Sequence, residues 1–240
     1  MKRLDHWFAA MAAVVLAGAG ATVVAAPAYA APCADVNVVF ARGTFEPPGL
    51  GAVGDAFANS LRAKSGKSVD VYGVNYPASL DFGAAADGVA DASAKVRDIA
   101  ATCPNSKIVL GGYSQGAAVA AYITQDTLPQ GFALPPQIQG PMPAEIANHV
   151  AAVALFGKPT SGFMQLIYSG APPITVGSRY TGKTVEECIP TDPICSPSGG
   201  DNGAHGQYVV SGLTDQAADY VVGKLPRGGS RSVEQASAHG

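Results

Sequence analysis

Lys107-Ile108-Val109-Leu110-Gly111-Gly112-Tyr113-Ser114-Gln115-Gly116-Ala117-Ala118-Val119 decides the reading of this chain. A short, β-branched apolar stretch ends in Gly112-Tyr113-Ser114-Gln115-Gly116, and an alanine-rich helical pattern begins at once. That is the layout of a nucleophile elbow, in which a serine sits on a tight strand-to-helix turn with its hydroxyl above the sheet. The flanking glycines have a steric reason, since so sharp a turn brings neighbouring backbones too close for a Cβ. The five-residue pattern alone is weak evidence, because glycine fills 29 of 240 positions. The strand before and the helix after carry the discrimination. The plain alternative is a turn serine between a strand and its crossover helix.

Working outward, strands and helices alternate. Val36 to Ala41, Val69 to Val74, Ile108 to Gly111 and Val150 to Phe156 read as strands. Gly54 to Lys64 reads as a helix with Phe57 and Leu61 at i, i+4, and Ala84 to Ala101 as one carrying Val89, Val96 and Ile99. A third helix runs from the elbow to about Thr124, and a fourth from Leu213 to Leu225 with Ala217, Tyr220 and Val221 on its apolar face. Apolar strands separated by helices predict an α/β protein whose parallel sheet is covered on both faces, a three-layer α/β/α arrangement. Leu128 to Pro143 holds five prolines and breaks this rhythm, so it is expected as an irregular surface loop, either bordering the site or a plain insertion. Residues 226–240 are small and polar and read as a disordered tail.

The first thirty residues stand apart. Lys2 and Arg3 precede an uncharged apolar run from Phe8 to Ala26, and Ala28-Tyr29-Ala30 forms a small-x-small cleavage site before Ala31. This is the pattern of a secretory signal peptide at 1–30, leaving one domain over 31–225. An uncleaved anchor is the competing reading, but Ala, Gly and Val dominate the run. A formal charge of −3 with only 14% charged residues gives no basic patch, so nucleic acid is not an expected partner. Four cysteines, Cys33, Cys103, Cys188 and Cys195, all follow the cleavage point. In an exported chain they read as two disulfides with three possible pairings, and spacing favours Cys33–Cys103 and Cys188–Cys195. Zinc is the rival, but the spacing does not match a metal finger, so no metal is expected.

A serine hydroxyl is a poor nucleophile at neutral pH and needs a base, which in turn needs an orienting group. Of four histidines, His6 leaves with the signal segment, His239 lies in the tail and His149 precedes the late acidic candidates. His205, in Asp201-Asn202-Gly203-Ala204-His205-Gly206, meets the order Ser, acid, His. Asp192 is the acid candidate, because the clip and two prolines of Cys188-Ile189-Pro190-Thr191-Asp192-Pro193-Ile194-Cys195 would hold its carboxylate. Asp201 is the rival, and the bland reading of Asp192 is a turn aspartate before proline. Oxyanion donors are expected from the Gln115 backbone N–H and from Thr44 in Arg42-Gly43-Thr44-Phe45-Glu46. Phe45, Leu80, Phe82, Ile189 and Ile194 are candidates for an apolar rim.

Together, Gly112-Tyr113-Ser114-Gln115-Gly116, Phe40-Ala41-Arg42-Gly43-Thr44 and Asp192-Pro193-Ile194-Cys195 followed by His205 resemble the cutinase family. Asn75-Tyr76-Pro77-Ala78, Ala152 to Gly157 and the placement of Cys33 and Cys103 look like its secreted actinobacterial, mycobacterial-type branch. The resemblance covers nearly all of Pro32 to Leu225. It implies an α/β-hydrolase with a central sheet of about five strands, two disulfides, no large lid and no cofactor. It implies a serine esterase or lipase acting on short- to medium-chain carboxylic esters, with Ser114, Asp192 and His205 as triad and Thr44 with Gln115 as oxyanion hole. The chain departs from the fungal members at Thr44, where they carry serine, and in the Leu128–Pro143 loop. The expected partner is an ester or lipid substrate, met by a secreted monomer with transient lipid-surface or cell-wall contact. Alternatives with the same triad are a phospholipase A, a thioesterase or a cell-wall acyltransferase. A non-catalytic binding protein on this scaffold is the reading that an intact Ser, His and Asp disfavours.

Overall fold

Apolar side chains along every position of a strand can be buried only if both faces of the sheet are covered. The three strands of that kind occupy the centre. In the computed structural model, which describes residues 32–130 and 134–226, β1 (Val36–Ala41), β3 (Lys107–Tyr113) and β4 (Val150–Phe156) lie side by side. Two edge strands, β2 (Val69–Gly73) and β5 (Thr184–Glu187), complete a parallel five-stranded sheet in the order β2-β1-β3-β4-β5. The expected signal segment at 1–30 lies outside the described residues, as does all but Pro226 of the expected tail.

Period-two alternation along each strand feeds two separate cores. Val36, Val38 and Phe40 of β1 face α1 (Gly51–Ser65) and α5 (Leu213–Lys224), where Phe40, Phe57 and Phe156 meet with ring centroids 5.6–6.2 Å apart. Val39 and Ala41 face the other way, onto α2 (Ala85–Thr102) and α3 (Gln115–Thr124). The elements match the expected order, with three differences. Helix α1 starts at Gly51 rather than Gly54, because the Glu46 carboxylate accepts from the Ala52 N–H (2.8 Å) and supplies the N-terminal partner that Leu50 cannot. Strand β3 runs on through Gly112 and Tyr113, since β1 pairs with Gly112 and β4 with both. Two elements were not located from the residues, β5, which makes up the five strands that the resemblance implies, and a short helix α4 (Ser161–Ile167), whose N-cap Thr160 accepts from the Phe163 N–H.

Both expected disulfides are formed. Cys33–Cys103 closes a separation of 70 residues and ties the start of the domain to the end of α2, while Cys188–Cys195 spans 7.

Candidate active site

Every parallel strand delivers its carboxyl end to the same edge of the sheet, so the loops after β1, β3, β4 and β5 converge there. Ser114 follows β3 directly and adopts φ 55°, ψ −119°, one of three described non-glycine residues at positive φ. Its N–H donates to the Phe156 carbonyl (2.9 Å), and its own carbonyl accepts from Ala117. The neighbouring glycines are obligatory for a steric reason. A Cβ on Gly112 would collide with the Gly116 carbonyl, and one on Gly116 with the Ala41 carbonyl.

The structure brings His205 and Asp192 to this serine. His205 Nε2 lies 2.8 Å from Ser114 Oγ, and His205 Nδ1 lies 2.7 Å from Asp192 Oδ2. Asp192 is fully buried, and its two oxygens have separate tasks. Oδ1 accepts from the Ile194 N–H (2.9 Å) in an Asx turn, whereas Oδ2 takes the imidazole and the Tyr208 hydroxyl (2.8 Å). The rival residues stand elsewhere. Asp201 Oδ1 accepts from the Gly203 N–H, and His149 sits before β4 at the opposite edge of the sheet.

Thr44 and Gln115 both border the same space, and neither backbone N–H is bonded to another described residue. Gln115 is the first residue of α3, where an unpaired N–H points out of the helix at its positive end. Its buried side chain is fixed by donating to the Ser79 carbonyl (3.0 Å) and accepting from Thr44 Oγ1 (3.4 Å).

Four residues that sequence reasoning missed hold these groups in place. Arg42, buried, donates to the carbonyls of Glu46 (2.7 Å), Val74 (3.3 Å) and Tyr76 (2.7 Å), and Glu46 accepts from the Gly43 N–H (2.6 Å). Together they lock the loop that carries Thr44. Tyr113 stacks on the His205 ring (centroids 5.0 Å, 26°) and donates to its carbonyl at 2.5 Å. Tyr208, fully buried, donates to Asp192 while accepting from the Ile189 N–H (3.3 Å). Burial first, then the nearby carboxylates, pushes both phenols well above their ordinary value, so both remain neutral donors. Arg42 and Glu46 flank Thr44 in sequence and were the one visible signal. Nothing local marks the tyrosines.

Beside Ser114 opens a cavity of about 600 Å³. It runs between α2 and α3, with α4 and parts of the Leu128–Pro143 loop as its outer wall. That loop therefore borders the site. Of the expected rim, Phe45, Leu80, Phe82 and Ile194 line the cavity. Ile189 does not, because it packs against the α1/α5 core beneath the opposite face. Phe45, Leu80 and Ile167 line the cavity while remaining exposed.

A parallel sheet sandwiched by helices, with these groups on the loops at its carboxyl edge, defines an α/β hydrolase. A family model described as Cutinase matches residues 32–225, and the chain belongs to the cutinase family, hence among the carboxylic ester hydrolases. Carboxylesterase Culp1 of Mycobacterium tuberculosis is 48% identical over 204 residues, covering 84% of this chain and 87% of that protein. Phospholipase Culp4 of the same organism is 46% identical over 217 residues, 88% and 90% of the two chains. Among solved structures, Trichoderma reesei cutinase in complex with a phosphonate inhibitor aligns with a TM-score of 0.59 at 32% identity, covering 82% of this chain and 78% of that one.

Proposed function

We propose that this protein is a secreted serine esterase that hydrolyses short- to medium-chain lipid or polyester esters through an acyl-enzyme on Ser114. The observation that carries the reading is the unbroken relay from Asp192 through His205 to Ser114, at 2.7 and 2.8 Å, opening onto an apolar cavity. His205 takes the Ser114 proton as Oγ attacks the ester carbonyl, and Asp192 stabilises the imidazolium that forms. The Thr44 and Gln115 N–H groups receive the developing oxyanion, a contribution typically of 10²–10³ in turnover per donor. Collapse of the tetrahedral intermediate expels the alcohol, protonated by His205. Water activated by the same imidazole then releases the acid and regenerates Ser114.

Export is supported by the pattern of residues 1–30 and by the two disulfides. The exposed Phe45, Leu80 and Ile167 along the cavity suit a monomer that touches a lipid surface transiently. The name of the Culp4 relative favours including phospholipids among the substrates. Purified wild type and Ser114→Ala are to be compared on p-nitrophenyl esters of increasing length and on a phospholipid, with glycerol as competing acceptor. Turnover and fluorophosphonate labelling confined to wild type are expected. Hydrolysis retained by Ser114→Ala refutes the assignment, and acyl glycerol as the main product converts the hydrolase into a transferase.

A further inference from the structure

The cavity is deeper than chemistry at Ser114 requires, and its far end is not apolar. It follows α3 from Gln115 to Gln125 and α2 from Ala86 to Arg97. At 1.5 Å of rise per residue, both helices give a depth of about 15 Å. At the distal end, Ser93 and Arg97 stand one helical turn apart on α2, on one face. Ser93 is buried and Arg97 half-buried, and neither side chain has a hydrogen bond or ion pair with another described residue. The nearby Asp98 is taken by Lys95 at 3.0 Å. Among the described residues no aspartate or glutamate lines the cavity, and Arg97 is its one permanently charged group. A half-buried guanidinium with a hydroxyl beside it, at the end of an apolar channel, is a group waiting for an anion.

We infer that Arg97, with Ser93, forms a distal subsite for a carboxylate at the far end of the acyl chain, so that the preferred substrates are monoesters of medium-chain α,ω-dicarboxylic acids. A single carboxylate balances the single guanidinium and matches its planar fork, whereas a phosphate dianion would bring a second charge with no partner. An extended chain advances about 1.2 Å per bond, so a depth of about 15 Å accommodates roughly a dozen carbons between the Ser114 ester and the terminal carboxylate. The inference rests on the esterase reading for its catalytic readout, and its test separates the two.

Hydrolysis of the p-nitrophenyl monoester of dodecanedioic acid is compared with that of p-nitrophenyl dodecanoate, both normalised to the butyrate ester, which is too short to reach α2. Wild type is expected to favour the ω-carboxy ester. Arg97→Met should cut that preference about 10- to 100-fold, the range of a hydrogen-bonded charge partner, and Arg97→Lys should restore part of it. A ratio below one in wild type, or the same ratio in wild type and Arg97→Met, overturns the subsite and leaves Arg97 as a stem with its head in water. If no ester is hydrolysed, the esterase reading has failed and calorimetry decides the subsite. Dodecanedioate binding more tightly than dodecanoate, with the difference lost in Arg97→Met, supports it, and equal binding of the two acids overturns it.

Discussion

The backbone of Ser114 is the most exacting feature of the site, and its strain is measurable. At φ 55°, ψ −119° a residue with a Cβ is held where only glycine rests comfortably, at a cost of about 1–3 kcal/mol. The dihedrals cannot relax, because the Ser114 N–H is bonded to Phe156 and its carbonyl to Ala117, while Gly112 and Gly116 leave no room to shift. Ser114→Ala and Ser114→Gly both lose the hydroxyl and its contact with His205, so the difference between them isolates the strain. Glycine returns about 0.5–1 kcal/mol through the greater freedom of its unfolded chain. The net expectation is that Ser114→Gly exceeds Ser114→Ala by about 0.5–2 kcal/mol. For a domain of this size, 1 kcal/mol corresponds to about 2–4 °C in Tm. Scanning calorimetry with both disulfides intact should place the glycine variant about 1–8 °C higher, with both variants inactive. Equal melting, or a lower Tm for Ser114→Gly, refutes the claim that the elbow stores strain.

Three further outcomes follow from particular contacts. Tyr208→Phe removes a donor from the buried Asp192 carboxylate and leaves the Ile189 N–H unpaired; kcat should fall about 10- to 100-fold with KM nearly unchanged, since about 1.5–3 kcal/mol attaches to such a bond, and an unaltered kcat removes Tyr208 from the positioning of Asp192. Opening Cys33–Cys103 by paired serines should cost about 4 kcal/mol in urea unfolding with little loss of kcat, whereas opening Cys188–Cys195 costs about 2.5 kcal/mol and most of the activity, because that clip brackets Asp192; the reverse pattern contradicts the assignment. Glu187 is buried with Oε1 unpartnered, and burial raises its carboxyl above the ordinary value, so the folded state binds this proton more tightly than the unfolded chain. The penalty is therefore full above the raised value and fades as pH falls through it, so Glu187→Gln should gain about 1 kcal/mol at pH 8 and progressively less in acid; a gap that grows in acid inverts the sign.

Legibility in the chain tracked how many constraints each residue meets locally. The elbow was readable because Gly112 and Gly116 answer to backbone atoms within reach of the turn itself or of the adjacent strand. Strands β1, β3 and β4 were readable because burial on two faces leaves no alternation to misjudge. Strand β5, Thr-Val-Glu-Glu, pairs on one side only and carries little apolar surface, so its identity comes from β4 rather than from its own residues. Helix α4 is short and turns Phe163, Met164 and Ile167 toward the cavity while Leu166 stays exposed, which blurs any apolar stripe. Asp192 illustrates the harder limit. Read as a turn aspartate or as the partner of a histidine, it satisfies both descriptions, one oxygen for each, and only the fold shows that they are compatible. The same holds for Tyr113 and Tyr208, whose sequence neighbours say nothing of a stacked imidazole or a buried carboxylate. Motifs declare the groups that react, because reaction geometry demands fixed local backbone. The groups that aim them are chosen by convergence in space, so a distal residue such as Arg97 becomes visible only when the cavity it ends is on view.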